Sequence, residues 1–394
     1  MTQQYLMPTY SRQPVSFVRG EGVWLFDRDG NRYLDAVAGV AVCNLGHCHP
    51  AVTAALQQQA AQLVHCSNLY EIPVQAELAE KLCAISGMEK VFFGNSGAEA
   101  NEAALKLARL HGHQQQIEIP HVIVMEGSFH GRTIATLSAT GNRKVQAGFE
   151  PLVQGFVRAP FGDVEAVRRI AQNNRNVVAI LVEPVQGEGG VHVPDEHYLP
   201  ALREICDANN WLLMLDEIQT GNGRTGSYFA FQQHGVVPDV VTTAKGLGNG
   251  FPIGACLAQG KAAALFGPGH HGSTYGGNPL GCATALATVT TLHDDVIAEV
   301  HTKGEYLRQQ LRQQLGQLAW VSEVRGVGLI NAVQFDRDCG ALVGLCRERG
   351  LLINVTAGSV VRLIPPLVIS HSEIDDLVAR LAEAVSIFIA SGEK

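Results

Sequence analysis

Hydrophobic positions fall along the chain in two rhythms. Short, nearly continuous apolar runs at 91–93, 122–125, 177–182, 211–215 and 240–243 predict strands buried on both faces. Between them, apolar residues recur three and four apart, as at Ala100, Ala103, Ala104, Leu107 and Ala108, which predicts amphipathic helices. Strands alternating with such helices predict an α/β fold, a mostly parallel sheet covered on both sides.

The rhythm changes near Gly281. Gln- and Leu-rich helical stretches follow, then runs at 324–333 and 351–355 and a closing helix from Ser372 onward. These predict a second, smaller α+β domain. Near the start, runs at 23–27 and 32–35 flank Asp29-Gly30-Asn31, the turn chemistry of a hairpin, which is expected to pack on that smaller domain. The expected division is an N-terminal segment 1–50 packing with the small domain, a large domain 51–281 and a C-terminal small domain 282–394. At 394 residues the chain exceeds the ~250 to 300 at which a single core stops growing, as two domains require. No internal repeat or low-complexity linker is visible.

Charge and cysteine usage narrow the partners. A net charge of -8, with no dense Lys and Arg run interleaved with aromatics, predicts no nucleic-acid partner. No stretch approaches the ~20 apolar residues of a bilayer span, and Met-Thr-Gln-Gln lacks the basic start of a signal peptide, so no membrane is expected and the cytoplasm is the expected location. Nine cysteines without a C-x-x-C pair read as reduced thiols. Cys43, His47, Cys48 and His49 are close in sequence but match no zinc spacing, so no metal is expected.

Three segments carry chemistry. Gly94-Asn95-Ser96-Gly97-Ala98-Glu99 turns from a predicted strand into a predicted helix. Free N–H groups, the helix dipole and the Ser96 hydroxyl suit a phosphate there, although Ser96 with Glu99 also spells a capping box that would serve only the helix. The run 212–215 ends in Asp216-Glu217, at the strand end where open α/β sheets place ligands. A buried carboxylate is costly unless paired, and the protonated ring nitrogen of pyridoxal phosphate would be such a partner for Asp216. Gln219, three residues on, would donate to that cofactor's phenolic oxygen. For a lone Asp, a strand-end acid held by backbone N–H groups is the commoner role. Lys245 ends a third apolar run and precedes glycine-rich turns. An amine there can attack the cofactor's aldehyde and carry a proton, whereas most lysines are solvated surface charges. Gly221-Asn222-Gly223-Arg224-Thr225-Gly226 spells G-x-G-x-x-G, but two acids precede it and Ser-Tyr-Phe-Ala-Phe follows, so no dinucleotide site is expected.

Taken in order, Asn95 to Ala100, Asp216 to Gly221 and Lys245 resemble the motifs of the class III, or ornithine-type, aminotransferases. Gly46-His47-Cys48-His49-Pro50 and Gly272-Ser273-Thr274-Tyr275-Gly276-Gly277-Asn278-Pro279 extend the resemblance over nearly the whole chain. Within the class, Ser67-Asn68-Leu69-Tyr70 and Ser128-Phe129-His130-Gly131-Arg132-Thr133 look most like members acting on N-acetylornithine. The resemblance implies the aspartate-aminotransferase-like fold, fold type I, and pyridoxal 5'-phosphate as cofactor. It implies transfer of the terminal amine of N-acetylornithine to 2-oxoglutarate, giving N-acetylglutamate 5-semialdehyde and glutamate, in arginine biosynthesis.

Residue by residue, the resemblance assigns Ser96, Gly97 and Ala98 to the phosphate, Phe129 to the ring face, Asp216 and Gln219 to the ring, and Lys245 to catalysis. Thr274 would reach the phosphate held by a neighbouring subunit, which implies an obligate homodimer with shared active sites. Arg132 and Arg362 would bind substrate carboxylates, a task suited to planar guanidinium forks, though either would also serve in a structural ion pair. Glu188 would mask the second arginine while the amine donor is bound and release it for the 2-oxo acid. Tyr10 and Asn68 would contact substrate. Two alternatives stay open: another ω-aminotransferase, acting on ornithine, succinylornithine, succinyldiaminopimelate or 4-aminobutyrate, and a binding protein of the same fold without catalysis, against which Lys245 stands. Asn222 departs from the apolar residue expected in its turn, and nothing is drawn from His130.

Overall fold

The computed structural model describes residues 5–292 and 296–392. Three strands open the chain, β1 (Phe17–Glu21), β2 (Trp24–Asp27) and β3 (Arg32–Asp35). β2 and β3 form the predicted hairpin, and the Asp27 carboxylate closes it by accepting the backbone N–H groups of Asp29 and Asn31 at 3.0 and 2.9 Å.

Seven strands follow: β4 (Lys90–Gly94), β5 (His121–Met125), β6 (Phe156–Ala159), β7 (Val177–Val182), β8 (Leu212–Asp216), β9 (Val240–Thr243) and β10 (Gly254–Ala258). They form one sheet in the order β4-β10-β9-β8-β7-β5-β6. β6, β5, β7, β8 and β9 pair in parallel, and β10 runs antiparallel to both β9 and β4. All five predicted runs lie in this sheet, whereas β6 and β10 escape the hydrophobic pattern. β10 reads Gly-Ala-Cys-Leu-Ala, small residues of weak strand propensity. Its neighbours make it a strand, since it is hydrogen-bonded on both sides and buried throughout. Gly254 at its start is a steric requirement, because a Cβ there would lie 2.3 Å from the Ser96 carbonyl oxygen.

The two faces of the sheet follow the period of two. Val122, Val124, Ala179 and Leu181 meet Ala103, Ala104, Leu107 and Ala108 of the helix Gly97–Gln114. Ile123, Ile180, Leu213 and Leu215 face the opposite way, toward Val167 of the helix Val164–Asn173 and Leu199 and Leu202 of the helix Tyr198–Asn209. The alanines let the first helix lie close to the strands, which brings its N-terminus beside the strand ends.

The last strands are β11 (Val321–Val327), β12 (Ile330–Phe335), β13 (Leu351–Leu352), β14 (Asn354–Thr356) and β15 (Val360–Leu363). β11-β12-β15-β14 form an antiparallel sheet. The run 324–333 therefore divides between two strands, and 351–355 divides between two sheets. β13 pairs in parallel with β3, through Leu351 with Leu34 and Leu352 with Asp35, so both ends of the chain share one sheet. A second core joins Leu34 and Leu45 to Leu307, Phe335, Leu377 and Phe388. The closing helix, His371–Ser391, begins one residue before the predicted start, behind a capping box of Ser370 and Glu373. Among the described residues, no helix is long and apolar enough to cross a membrane.

Candidate active site

A cavity of about 410 Å³ is lined by residues that follow β4, β5, β7, β8 and β9. It therefore lies at the carboxyl ends of the sheet, where α/β sheets place ligands. Ser96, Gly97, Ala98, Phe129, Arg132, Glu188, Asp216, Gln219 and Lys245 all line it.

Asp216 ends β8 and is nearly fully buried. Its Oδ2 accepts a hydrogen bond from the Asn101 side chain at 2.8 Å and lies 2.7 Å from His130 Nδ1, while Oδ1 accepts from the Ile218 N–H at 3.1 Å. The Thr242 hydroxyl donates to Asn101 Oδ1 at 2.7 Å, which orients that amide toward Asp216. A carboxylate facing Nδ1 favours the tautomer protonated there, and the buried Nε2 of His130 has no protein partner. Beside them, Glu183 accepts the N–H groups of Phe129 at 2.9 Å and Gly187 at 3.3 Å. Burial holds its carboxyl above the usual range, against the pull of His130 and with the push of Asp216. Reasoning from sequence missed His130, Asn101 and Glu183. Asn101 carried a signal, as a polar residue on the buried stripe of an amphipathic helix, and so did Glu183, an acid directly after the apolar run 177–182.

Lys245 follows β9 in a left-handed conformation, φ 45°. Desolvation lowers the proton affinity of its amine, with Glu188 opposing and Arg362 adding to the effect, so the neutral, nucleophilic form is favoured relative to a surface lysine. Asn222 secures the approach to it. Its Nδ2 donates to Thr243 Oγ1 at 2.9 Å and to the Ala244 carbonyl at 3.0 Å, and its Oδ1 accepts from the Tyr228 hydroxyl at 3.1 Å. With φ at 55°, the position suits Asn better than the expected apolar residue.

At the other side of the cavity Ser96 makes the predicted cap with Glu99. Its hydroxyl accepts the Glu99 N–H at 3.3 Å and donates to the Glu99 carboxylate at 3.0 Å. The N–H groups of Gly97 and Ala98, the first residues of the helix, take no part in this cap.

Arg362 is 1% exposed in β15. It donates to Glu188 Oε1 at 2.7 Å, to Gln219 Oε1 at 3.1 Å and to Asn354 Oδ1 at 2.9 Å. Burial raises the Glu188 carboxyl, but Arg362 and Lys245 outweigh it and hold the group below its ordinary range. Arg132 is exposed, its guanidinium 5.6 Å from the centre of the Phe129 ring. Arg362 sits behind the cavity wall, against the lining residues Glu188 and Gln219, and Tyr10, Thr274 and Asn68 lie outside the cavity of the single chain. Tyr10 is 74% exposed. Thr274 is exposed, and Asn68 braces its segment by donating to the carbonyls of Ser273 at 3.1 Å and Gly276 at 2.9 Å.

The G-x-G-x-x-G turn is a structural joint. Arg224 is fully buried and donates to the carbonyls of Leu329 and Pro365 and to Asn44 Oδ1. His47 Nε2 lies 2.8 Å from Asp35 Oδ2, and among the described residues no group of three His, Cys, Asp or Glu is placed to hold a metal.

Residues 6–385 match the family model for class-III aminotransferases. The chain belongs to that family. A relative named acetylornithine aminotransferase, from Nitrosomonas europaea, is 53% identical over 99% of this chain and 100% of its own length. Among solved structures, an ornithine aminotransferase from Toxoplasma gondii, described with partial occupancy of PLP at its active site, is 36% identical with a TM-score of 0.95, covering 99% of this chain and 94% of that one. The acetylornithine aminotransferase of Elizabethkingia anophelis is 34% identical with a TM-score of 0.89, covering 98% and 97%.

Class-III aminotransferases use pyridoxal 5'-phosphate. The donor set of this class-III cavity fits that group: a buried carboxylate oriented by three neighbours, a desolvated lysine, and a helix N-terminus with N–H groups to spare.

Proposed function

We propose that the enzyme transfers the terminal amino group of N-acetylornithine to 2-oxoglutarate, giving N-acetylglutamate 5-semialdehyde and glutamate, a step of arginine biosynthesis. The observation that carries this reading is the Glu188–Arg362 pair, 2.7 Å apart, whose Glu188 lines the cavity together with Arg132 and Lys245. The names of the relatives support the amine donor.

Ser96, Gly97 and Ala98 would hold the cofactor phosphate, Phe129 the ring face, Gln219 the phenolic oxygen and Asp216 the ring nitrogen. When bound, the cofactor supplies an electrophilic aldehyde and a cationic ring that draws electrons from the substrate carbon bearing the amine. Asp216, oriented by Asn101, His130 and the Ile218 N–H, would keep a proton on the ring nitrogen. The Lys245 amine would shuttle the proton between the substrate carbon bearing the amine and the cofactor. Arg132 grips a carboxylate common to both substrates. N-acetylornithine has one carboxylate, so Glu188 neutralises Arg362. 2-Oxoglutarate has two, so Glu188 turns aside and Arg362 takes the second. Tyr10 and Asn68 contact substrate only if a second copy brings them to the cavity.

On the same footing we assign a homodimer in which Thr274 of one copy reaches the phosphate of the other, and the cytoplasm as location. We divide the chain into a large domain, 51–281, and a small domain, 282–394, with 1–50 packed on the latter. The test is the visible absorption of the holoenzyme before and after N-acetylornithine is added without any 2-oxo acid. Loss of the band of the lysine-bound cofactor is expected. A band that resists N-acetylornithine but responds to ornithine or 4-aminobutyrate moves the substrate, and no band even after adding pyridoxal phosphate overturns the chemistry.

A further inference from the structure

The turn that carries Glu188 leaves the end of β7 but is tied down by a different sheet. Gln186 and His192 bridge its base, each N–H donating to the other's carbonyl at 3.1 Å. A Cβ on Gly187 would lie 2.0 Å from Gln219 Oε1, so only glycine admits Gln219 to the Arg362 contact. Val191 is held at φ 56°, a conformation that β-branched residues strongly disfavour. Its side chain is fully buried against Ile330, Ala332 and Val360 of the small sheet. Burial there offsets part of the backbone cost, and polar ties hold the turn as well. Arg325 of β11 donates from Nε to the Val191 carbonyl at 3.0 Å and from Nη2 to the Gly190 carbonyl at 2.6 Å. Its guanidinium is itself oriented by Gln334 at 3.0 Å and Glu323 at 2.8 Å. The Thr356 hydroxyl of β14 donates to the carbonyl of Glu188 itself.

Arg362, on β15 of this same sheet, receives the Glu188 carboxylate. We infer that Arg325 and Thr356 are positioning residues for the Glu188–Arg362 pair, fixing the strained turn so that Arg362 is unmasked by rotation of the Glu188 side chain alone. The inference rests on the reading that Arg362 alternates between Glu188 and a substrate carboxylate. Without the ties the turn relaxes from its left-handed Val191, Glu188 leaves Arg362 more often, and a larger fraction of the enzyme is competent to bind a dicarboxylate.

The test uses holoenzyme and glutarate, a dicarboxylate with neither amine nor oxo group to react. Its Kd is measured by calorimetry alongside KM for N-acetylornithine and for 2-oxoglutarate. Arg325→Met, which keeps the stem and removes the donors, is expected to tighten glutarate by about threefold or more. It should also lower KM for 2-oxoglutarate relative to that for N-acetylornithine, with kcat little changed. Arg325→Lys should restore part of the wild-type ratio. Thr356→Val removes the other tie and carries the test if Arg325→Met does not fold. Glu188→Ala is the reference. If it shifts glutarate binding and the KM ratio while Arg325→Met and Thr356→Val leave both at wild-type values, the positioning role is wrong. If Glu188→Ala shifts neither, the alternation of Arg362 falls, and this inference with it.

Discussion

Asp216 shows how much of the site depends on single atoms. One oxygen is occupied by His130 and Asn101, and the other, shared with the Ile218 N–H, would face the cationic ring in the proposed reading. Asp216→Asn keeps the shape and removes the charge, so turnover is expected to fall by about 10²- to 10⁴-fold, with the fold intact and some cofactor retained. Visible absorption together with kcat measures both, and wild-type rates would refute the role. Asp216, Lys245 and Ser96 were legible because each stands at the end of an apolar run, where position alone suggests chemistry. His130 was not, since it is 86 positions from Asp216 in the chain and only the fold brings them to 2.7 Å. Asn101 is 115 positions away, yet its place on a buried helical stripe could have marked it.

Between β3 and the following helix, four successive residues, Ala38, Gly39, Val40 and Ala41, have φ of 49°, 64°, 68° and 59°. Only one is glycine, so nothing in the residue types announces this left-handed run. Asp35 holds it. Oδ1 accepts the N–H groups of Val37 and Ala38, each at 2.9 Å, and Oδ2 faces His47 at 2.8 Å. Burial works against a charge on His47, but hydrogen bonds with Asp35 and Cys43 outweigh it and push the imidazole from 6.5 up to about 10. A group raised on folding stabilises fully below its unfolded value and loses that contribution as pH climbs through its folded one. The melting temperature of the wild type should therefore fall more steeply between pH 6.5 and 10 than that of His47→Gln. Parallel curves would show that the pair contributes nothing. The run matters to the site because Val42, just beyond it, lines the cavity.

At the scale of the whole molecule, the alternating pattern was enough to foresee a mostly parallel sheet, but not its edges or its reversal. β10 is too poor in large apolar residues to register, and β6 includes an exposed Arg158. The proposed assembly belongs to this scale as well. If Thr274 donates to a phosphate across the interface, Thr274→Ala should weaken cofactor retention on dialysis by roughly tenfold to a hundredfold, the worth of one hydrogen bond to a charged group. Unchanged retention in an unchanged dimer would remove that contact. The pairing of β3 with β13 bears on how the protein is made. Leu34 cannot meet Leu351 until nearly the whole chain has left the ribosome, whereas β4 to β10 are complete by Ala258. Translation would thus expose β1, β2 and β3 with an open edge for most of synthesis, and such edges invite pairing with foreign strands. Ribosome-bound chains halted near residue 300 are expected to resist protease across the large sheet while the first fifty residues are cut.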